Sequence, residues 1–127
     1  SIPYAVGVNN HMGSKFTESG NDVGDALKIV KQKKLFFVDS WTSCHSRAHD
    51  ISRSFGIPTL SRRIFLDNVH EESAVMAELA RLKQCAFRNG QAVGIGHPFS
   101  CTARAINRFA RDRRNADIEL VSVSALL

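Results

Sequence analysis

The sequence has no long apolar run. Its longest stretches fall far short of the about 18 residues that a membrane-crossing helix needs, so no transmembrane segment is expected. Cysteine is scarce: Cys44, Cys85 and Cys101 make an odd count with no CxxC pair. They form no disulfide framework and leave the redox compartment open. No glycine-rich phosphate loop follows the first apolar run, which argues against a nucleotide ligand. There is no low-complexity tract, linker or sequence repeat, and no signal peptide is visible. The chain begins at Ser1 rather than at a methionine, so a processed form or a fragment is expected.

What is present suits one domain. The 127 residues are enough to bury a core, and 43% hydrophobic and 23% charged residues are ordinary for a globular protein. A net charge of +5 and a pI near 9.5 permit an anionic partner without requiring one. Arg104, Arg108 and Arg111 line one side of the last predicted helix. With no aromatic interleaving and no nucleic-acid fold signature, they read as a solvated face, and no nucleic-acid partner is expected.

Periodicity divides the chain into strands and helices. Residues 4–8 and 35–38 are short apolar runs with β-branched or aromatic members, and residues 64–66 and 92–95 continue the series. Residues 118–123 read as a fifth strand. Between them, Val23, Ala26, Leu27 and Val30 recur at i, i+3, i+4, i+7, with Asn21 as the predicted cap. Ser43 or Ser46 would cap a helix that Gly56 stops. Pro58 begins an extended segment. Val75, Leu79, Leu82 and Ala86 share a face of a long helix ended by Gly90. Ser100 or Thr102 starts the last helix, with Ile106, Phe109 and Ala110 expected inward. Strand and helix alternate, which predicts an α/β fold with parallel strands covered by helices. A free-standing flavodoxin-like sheet in the order 2-1-3-4-5 is one form of this.

In such folds ligands bind beyond the carboxyl ends of the strands. Four predicted strand ends carry polar clusters: Asn9, Asn10 and His11; Asp39 and Ser40; Asp67 and Asn68; Gly96 and His97. Parallel strands are expected to bring them to one side. His11 and His97 suit metal ligation or acid–base work near neutral pH, although a single loop histidine is more often a surface group. Asp39 and Asp67 could orient a histidine or bind hydroxyls, or simply cap turns. Trp41, inside the polar stretch after the second strand, offers a flat apolar wall for a sugar ring or else packs in the core. His45 and His49 at i, i+4 would share a helix face, but they lack the glutamate of the metalloprotease motif. Cys44 and Cys101 have no recognisable partner pattern and read as small buried thiols.

Taken in order, Asn9-Asn10-His11-Met12-Gly13-Ser14, Phe37-Val38-Asp39-Ser40-Trp41-Thr42, residues 62–68 and Ile95-Gly96-His97-Pro98 resemble the motifs of the divergent polysaccharide deacetylase family. The resemblance covers essentially the whole chain. It implies part of a distorted (β/α) barrel, with residues 1–127 as a single domain forming the C-terminal portion of a longer deacetylase-like domain. It implies a metal-dependent hydrolase that removes acetyl groups from a polysaccharide or amino-sugar substrate, with a divalent metal such as zinc. A non-catalytic carbohydrate-binding or scaffolding domain is the alternative. By resemblance, His97 would protonate the leaving amine, Asp39 would orient it or place water, and His11 would bind or adjoin the metal. Asn9, Asn10, Ser14, Ser40, Arg62 and Asp67 would shape the substrate pocket. The chain departs from the family in two ways. It lacks the N-terminal half carrying an Asp-Asp pair, so the site would be completed by that half or by another chain. Arg63 also stands where the family usually has an aspartate. A periplasmic or cell-envelope location is the corresponding expectation.

Overall fold

The computed structural model describes residues 2–11 and 13–127; Met12 of the first motif lies outside the described residues. Parallel strands alternate with helices, so the chain is α/β. It divides into two compact units, one running up to Ser61 with Leu127 and the other Arg62–Leu126. The strand order excludes the flavodoxin-like sheet: β1, β2 and β3 form one sheet in that order, and β4 and β5 form a separate pair.

In the first unit, β1 (Gly7–Asn9) and β3 (Thr59–Ser61) flank β2 (Phe36–Asp39), all parallel. The first strand is shorter than expected and begins later. Gly7 lies opposite Phe36, so positions 4–6 would face residues 33–35, at and just beyond the end of α2 (Gly20–Gln32), where no strand runs. Tyr4 accordingly leaves extended conformation at φ 67° and is exposed, as are Ile2 and Val6. Gly7 is required where it stands, because a Cβ there would lie 2.3 Å from the Phe36 ring.

A short helix, α1 (Ser14–Glu18), follows β1. Ser19, rather than Asn21, caps α2, its hydroxyl accepting from the Asp22 N–H at 3.4 Å. The expected α2 face is the buried one. Val23 and Leu27 join Phe37, Ala48 and Ile57 in a core bordered by Val8, Val30, Ile51 and Phe55. α3 (Ala48–Ser54) ends where Gly56 turns left-handed at φ 71°.

In the second unit, β4 (Ile64–Phe65) pairs with β5 (Gly94–Ile95). α4 (Glu72–Asn89) stops at Gly90, φ 81°, and α5 (Ser100–Arg111) follows β5. Ile64, Leu66, Val75, Leu79, Ala105 and Phe109 form the core. The inward face of α5 is Thr102, Ala105 and Phe109, an i, i+3, i+7 set; Ile106 and Ala110 are exposed. The predicted fifth strand does not form. No strand pairs with residues 118–123 among those described, and the segment runs between 3-10 turns at Arg113–Asn115 and Val123–Leu126. Lys83 pins its start, reaching the Arg114 carbonyl at 2.7 Å and the Asp117 carboxylate at 2.7 Å. Ile118 packs on the core, and a cavity of about 600 Å³ separates the rest of the segment from α4 and α5. No described helix is long and apolar enough to cross a membrane.

Candidate functional site

Each unit carries polar groups at the carboxyl ends of its strands. In the second unit, register brings two of them together. Phe65 pairs with Ile95, so continuing the ladder by two residues sets Asp67 opposite His97. The Leu66 N–H donates to the Ile95 carbonyl at 2.8 Å and holds that continuation.

Asp67 is buried, its side chain fully so, and three donors converge on it. Oδ2 accepts from the His97 backbone N–H at 2.5 Å and from the Thr102 hydroxyl at 2.9 Å. Oδ1 lies 3.0 Å from His97 Nδ1. Burial pushes the Asp67 carboxyl up, but the bonds from the His97 ring, the His97 backbone and Thr102 outweigh it and hold it below the usual carboxylate range. An ionised carboxylate only accepts, so the proton of a neutral His97 ring sits on Nδ1 and the lone pair on Nε2. Thr102, in the first turn of α5, thereby ties helix to strand.

The His97 ring stands in an aromatic setting. It lies parallel to Phe65 with centroids 6.1 Å apart, and Phe99 is 5.4 Å away. His70 packs on Phe99 at 4.2 Å. The Arg62 guanidinium sits 4.3 Å over the Phe65 ring. Arg63 is exposed, and its backbone N–H donates to the Val93 carbonyl. Gly96 closes over the pair: a Cβ there would lie 3.0 Å from Thr102 Cγ2 and 3.1 Å from Asp67 Oδ2. Gly96→Ala is therefore expected to lower stability by about 1–3 kcal/mol and to displace the His97 N–H from Asp67. Thermal unfolding and the amide chemical shift of His97 check this.

In the first unit, the ends of β1 and β2 are latched. The Ser40 N–H donates to Asn10 Oδ1 at 2.7 Å, the Ser40 hydroxyl donates to the Asn10 carbonyl, and Asn9 Nδ2 donates to Ser40 Oγ at 3.2 Å. Because Oδ1 takes the Ser40 N–H, the amide orientation is fixed. Among the described residues, Asn10 Nδ2 is left buried with no hydrogen-bond partner. Ser14 donates to the Thr42 hydroxyl at 3.5 Å. His11 is exposed.

Asp39, which by resemblance would orient His97 or place water, is also buried, and three groups between Trp41 and the start of α3 donate to it. They are the Trp41 N–H at 2.9 Å, the Ser46 hydroxyl at 2.9 Å and the His49 N–H at 3.2 Å. The carboxylate at His97 Nδ1 is Asp67. The helical pairing of His45 and His49 does not exist, because α3 begins only at Ala48. His45 instead lies 3.4 Å from the Cys44 thiol. Cys44, expected to be buried, is exposed, and Cys101 is half-buried.

Among the described residues, no three of the His, Cys, Asp and Glu side chains gather in a way that could hold a metal ion. The residues that sequence reasoning missed are Phe65, His70, Phe99 and Thr102. Thr102 had been read only as a helix start, and nothing in linear spacing couples it to Asp67.

Comparison with known proteins matches this architecture. The chain is 34% identical to the uncharacterized protein YibQ of Escherichia coli (strain K12) over 127 residues, all of this chain and 40% of that one. It is 34% identical to an uncharacterized protein of Haemophilus influenzae over 122 residues, 96% of this chain and 43% of that one. The crystal structure of the uncharacterized protein ATU2773 from Agrobacterium tumefaciens C58 superposes with a TM-score of 0.91 at 29% identity. That match covers 96% of this chain and 50% of the other. The chain thus spans half or less of the length of these relatives. Residues 1–127 match the family described as divergent polysaccharide deacetylase, and the chain belongs to that family.

Proposed function

We propose that the protein is a deacetylase-like hydrolase acting on an acetylated polysaccharide or amino sugar, with His97 as its acid–base group and Asp67 as the residue that positions it. The observation that carries this is the buried Asp67 carboxylate on His97 Nδ1. It is supported by the family to which the chain belongs.

The chemistry asks for two proton movements. As water adds to the acetyl carbonyl carbon, Nε2 takes its proton, and Asp67 stabilises the imidazolium that forms. As the carbon–nitrogen or carbon–oxygen bond breaks, Nε2 returns the proton to the leaving amine or alcohol. Phe65 and Phe99 give the ring an apolar border that limits water around it. Where a divalent metal takes part, it would polarise the carbonyl, and it needs donors besides those gathered here.

Arg63, at a position where the resembled motif usually carries an aspartate, favours a second reading, a carbohydrate-binding domain without turnover. Incubation with an oligomer of N-acetylglucosamine, followed by mass spectrometry of the saccharide, separates the two. Loss of acetyl groups supports the hydrolase. Binding with an intact saccharide supports the second reading and eliminates the first.

A further inference from the structure

Trp41 is the only tryptophan in the chain, and it is held in a conformation that tryptophan rarely adopts. Its backbone is left-handed at φ 45°, a region that glycine and asparagine enter readily and that a bulky side chain resists. Such outliers persist only where the surroundings impose them, and they concentrate at functional sites.

The surroundings do impose it. The buried Asp39 carboxylate takes the Trp41 N–H on Oδ1, while Oδ2 takes the Ser46 hydroxyl and the His49 N–H at the start of α3. On the other side, Ser40 is fixed by the Asn10 amide, whose remaining hydrogens are buried without an acceptor among the described residues. Both flanks of Trp41 are thus anchored. The residue is 43% exposed, and the His49 ring is tilted 35° to the indole at 6.4 Å. A strained backbone and a buried carboxylate together hold a large flat apolar surface at the carboxyl end of β2.

We propose that Trp41 is a stacking platform for a pyranose ring. A sugar ring presents a face of C–H groups that covers an indole while its hydroxyls stay in water. The inference rests on the carbohydrate reading above and adds to it a binding position in the first unit.

The single tryptophan supplies its own probe. The protein is titrated with a soluble oligomer of β-linked N-acetylglucosamine, binding being measured in parallel by calorimetry. We expect a saturable change in tryptophan emission with the calorimetric midpoint. Trp41→Ala should weaken binding about ten-fold, and Trp41→Phe should keep most of it. Trp41→Gly should bind as poorly as the alanine variant yet melt no lower than the parent, because glycine relieves the left-handed strain. Calorimetric binding with unchanged emission and an unaffected Trp41→Ala variant overturns the platform and leaves the carbohydrate reading standing. A lower melting temperature for Trp41→Gly also overturns it, making Trp41 a packing residue. No calorimetric binding of the oligomer overturns both.

Discussion

Replacing Asp67 with alanine is expected to cost about 3 kcal/mol of folding stability, because its buried donors lose their acceptor. The carboxylate is fully buried and receives the His97 N–H, the His97 ring and the Thr102 hydroxyl. Alanine removes all three acceptor contacts at once and leaves the donors in place. Chemical denaturation measures the loss. Asp67→Asn keeps the volume and one acceptor oxygen, but it turns an amide NH₂ toward donors, so an intermediate loss is expected.

The same group sets a pH dependence. The folded-state value of Asp67 is lowered, so its ionisation stabilises the fold above the ordinary carboxylate value of about 3.9. That stability is lost as pH falls below about 4 and through the lowered folded value. Two other carboxylates contribute in the same direction. Asp112 is held at about 2, chiefly by Arg114, and Asp117 is lowered by Lys83. The parent protein should therefore lose more stability between neutral pH and acid than Asp67→Asn, and the difference between the two curves isolates Asp67. Identical curves would remove its ionised form from the account of the fold.

His97→Gln is the second large effect, and it falls on chemistry rather than stability. The His97 side chain is 39% exposed, and the backbone N–H that bonds Asp67 survives the substitution. Folding should lose less than in Asp67→Ala, because two of the three donors to Asp67 remain. Glutamine neither accepts nor returns a proton at the position of Nε2, so acetyl release from an N-acetylated oligosaccharide should fall about 10²–10⁴-fold. Initial rates of acetate formation give the number. Rates equal to those of the parent would take His97 out of the reaction.

The difference between Asp39 and Asp67 shows where a linear reading stops. Both follow an apolar strand, and both are flanked by polar residues. Sequence spacing says that each ends a strand; it does not say which strand lies beside which, nor in what register. Once β4 is known to pair with β5, two steps beyond Phe65 and Ile95 set Asp67 against His97. Helices were legible because their evidence is local. The period of Val75 and Leu79, and the stops at Gly56 and Gly90, depend on neighbours within one or two turns. Strand limits depend on partners: among the described residues, positions 4–6 have no strand opposite them, and residues 118–123 have the pattern of a strand with none alongside. The left-handed Trp41 was not legible at all, since the loop forces it against its own preference.

The state of the His97 ring is read directly from its two nitrogen chemical shifts, in the parent protein and in Asp67→Asn. With the ring neutral, Nδ1 should carry the proton and Nε2 the lone pair, and the asparagine substitution should erase that preference. A parent ring protonated at Nε2, or one indifferent to the loss of the Asp67 charge, would contradict the pairing on which the proposed chemistry depends.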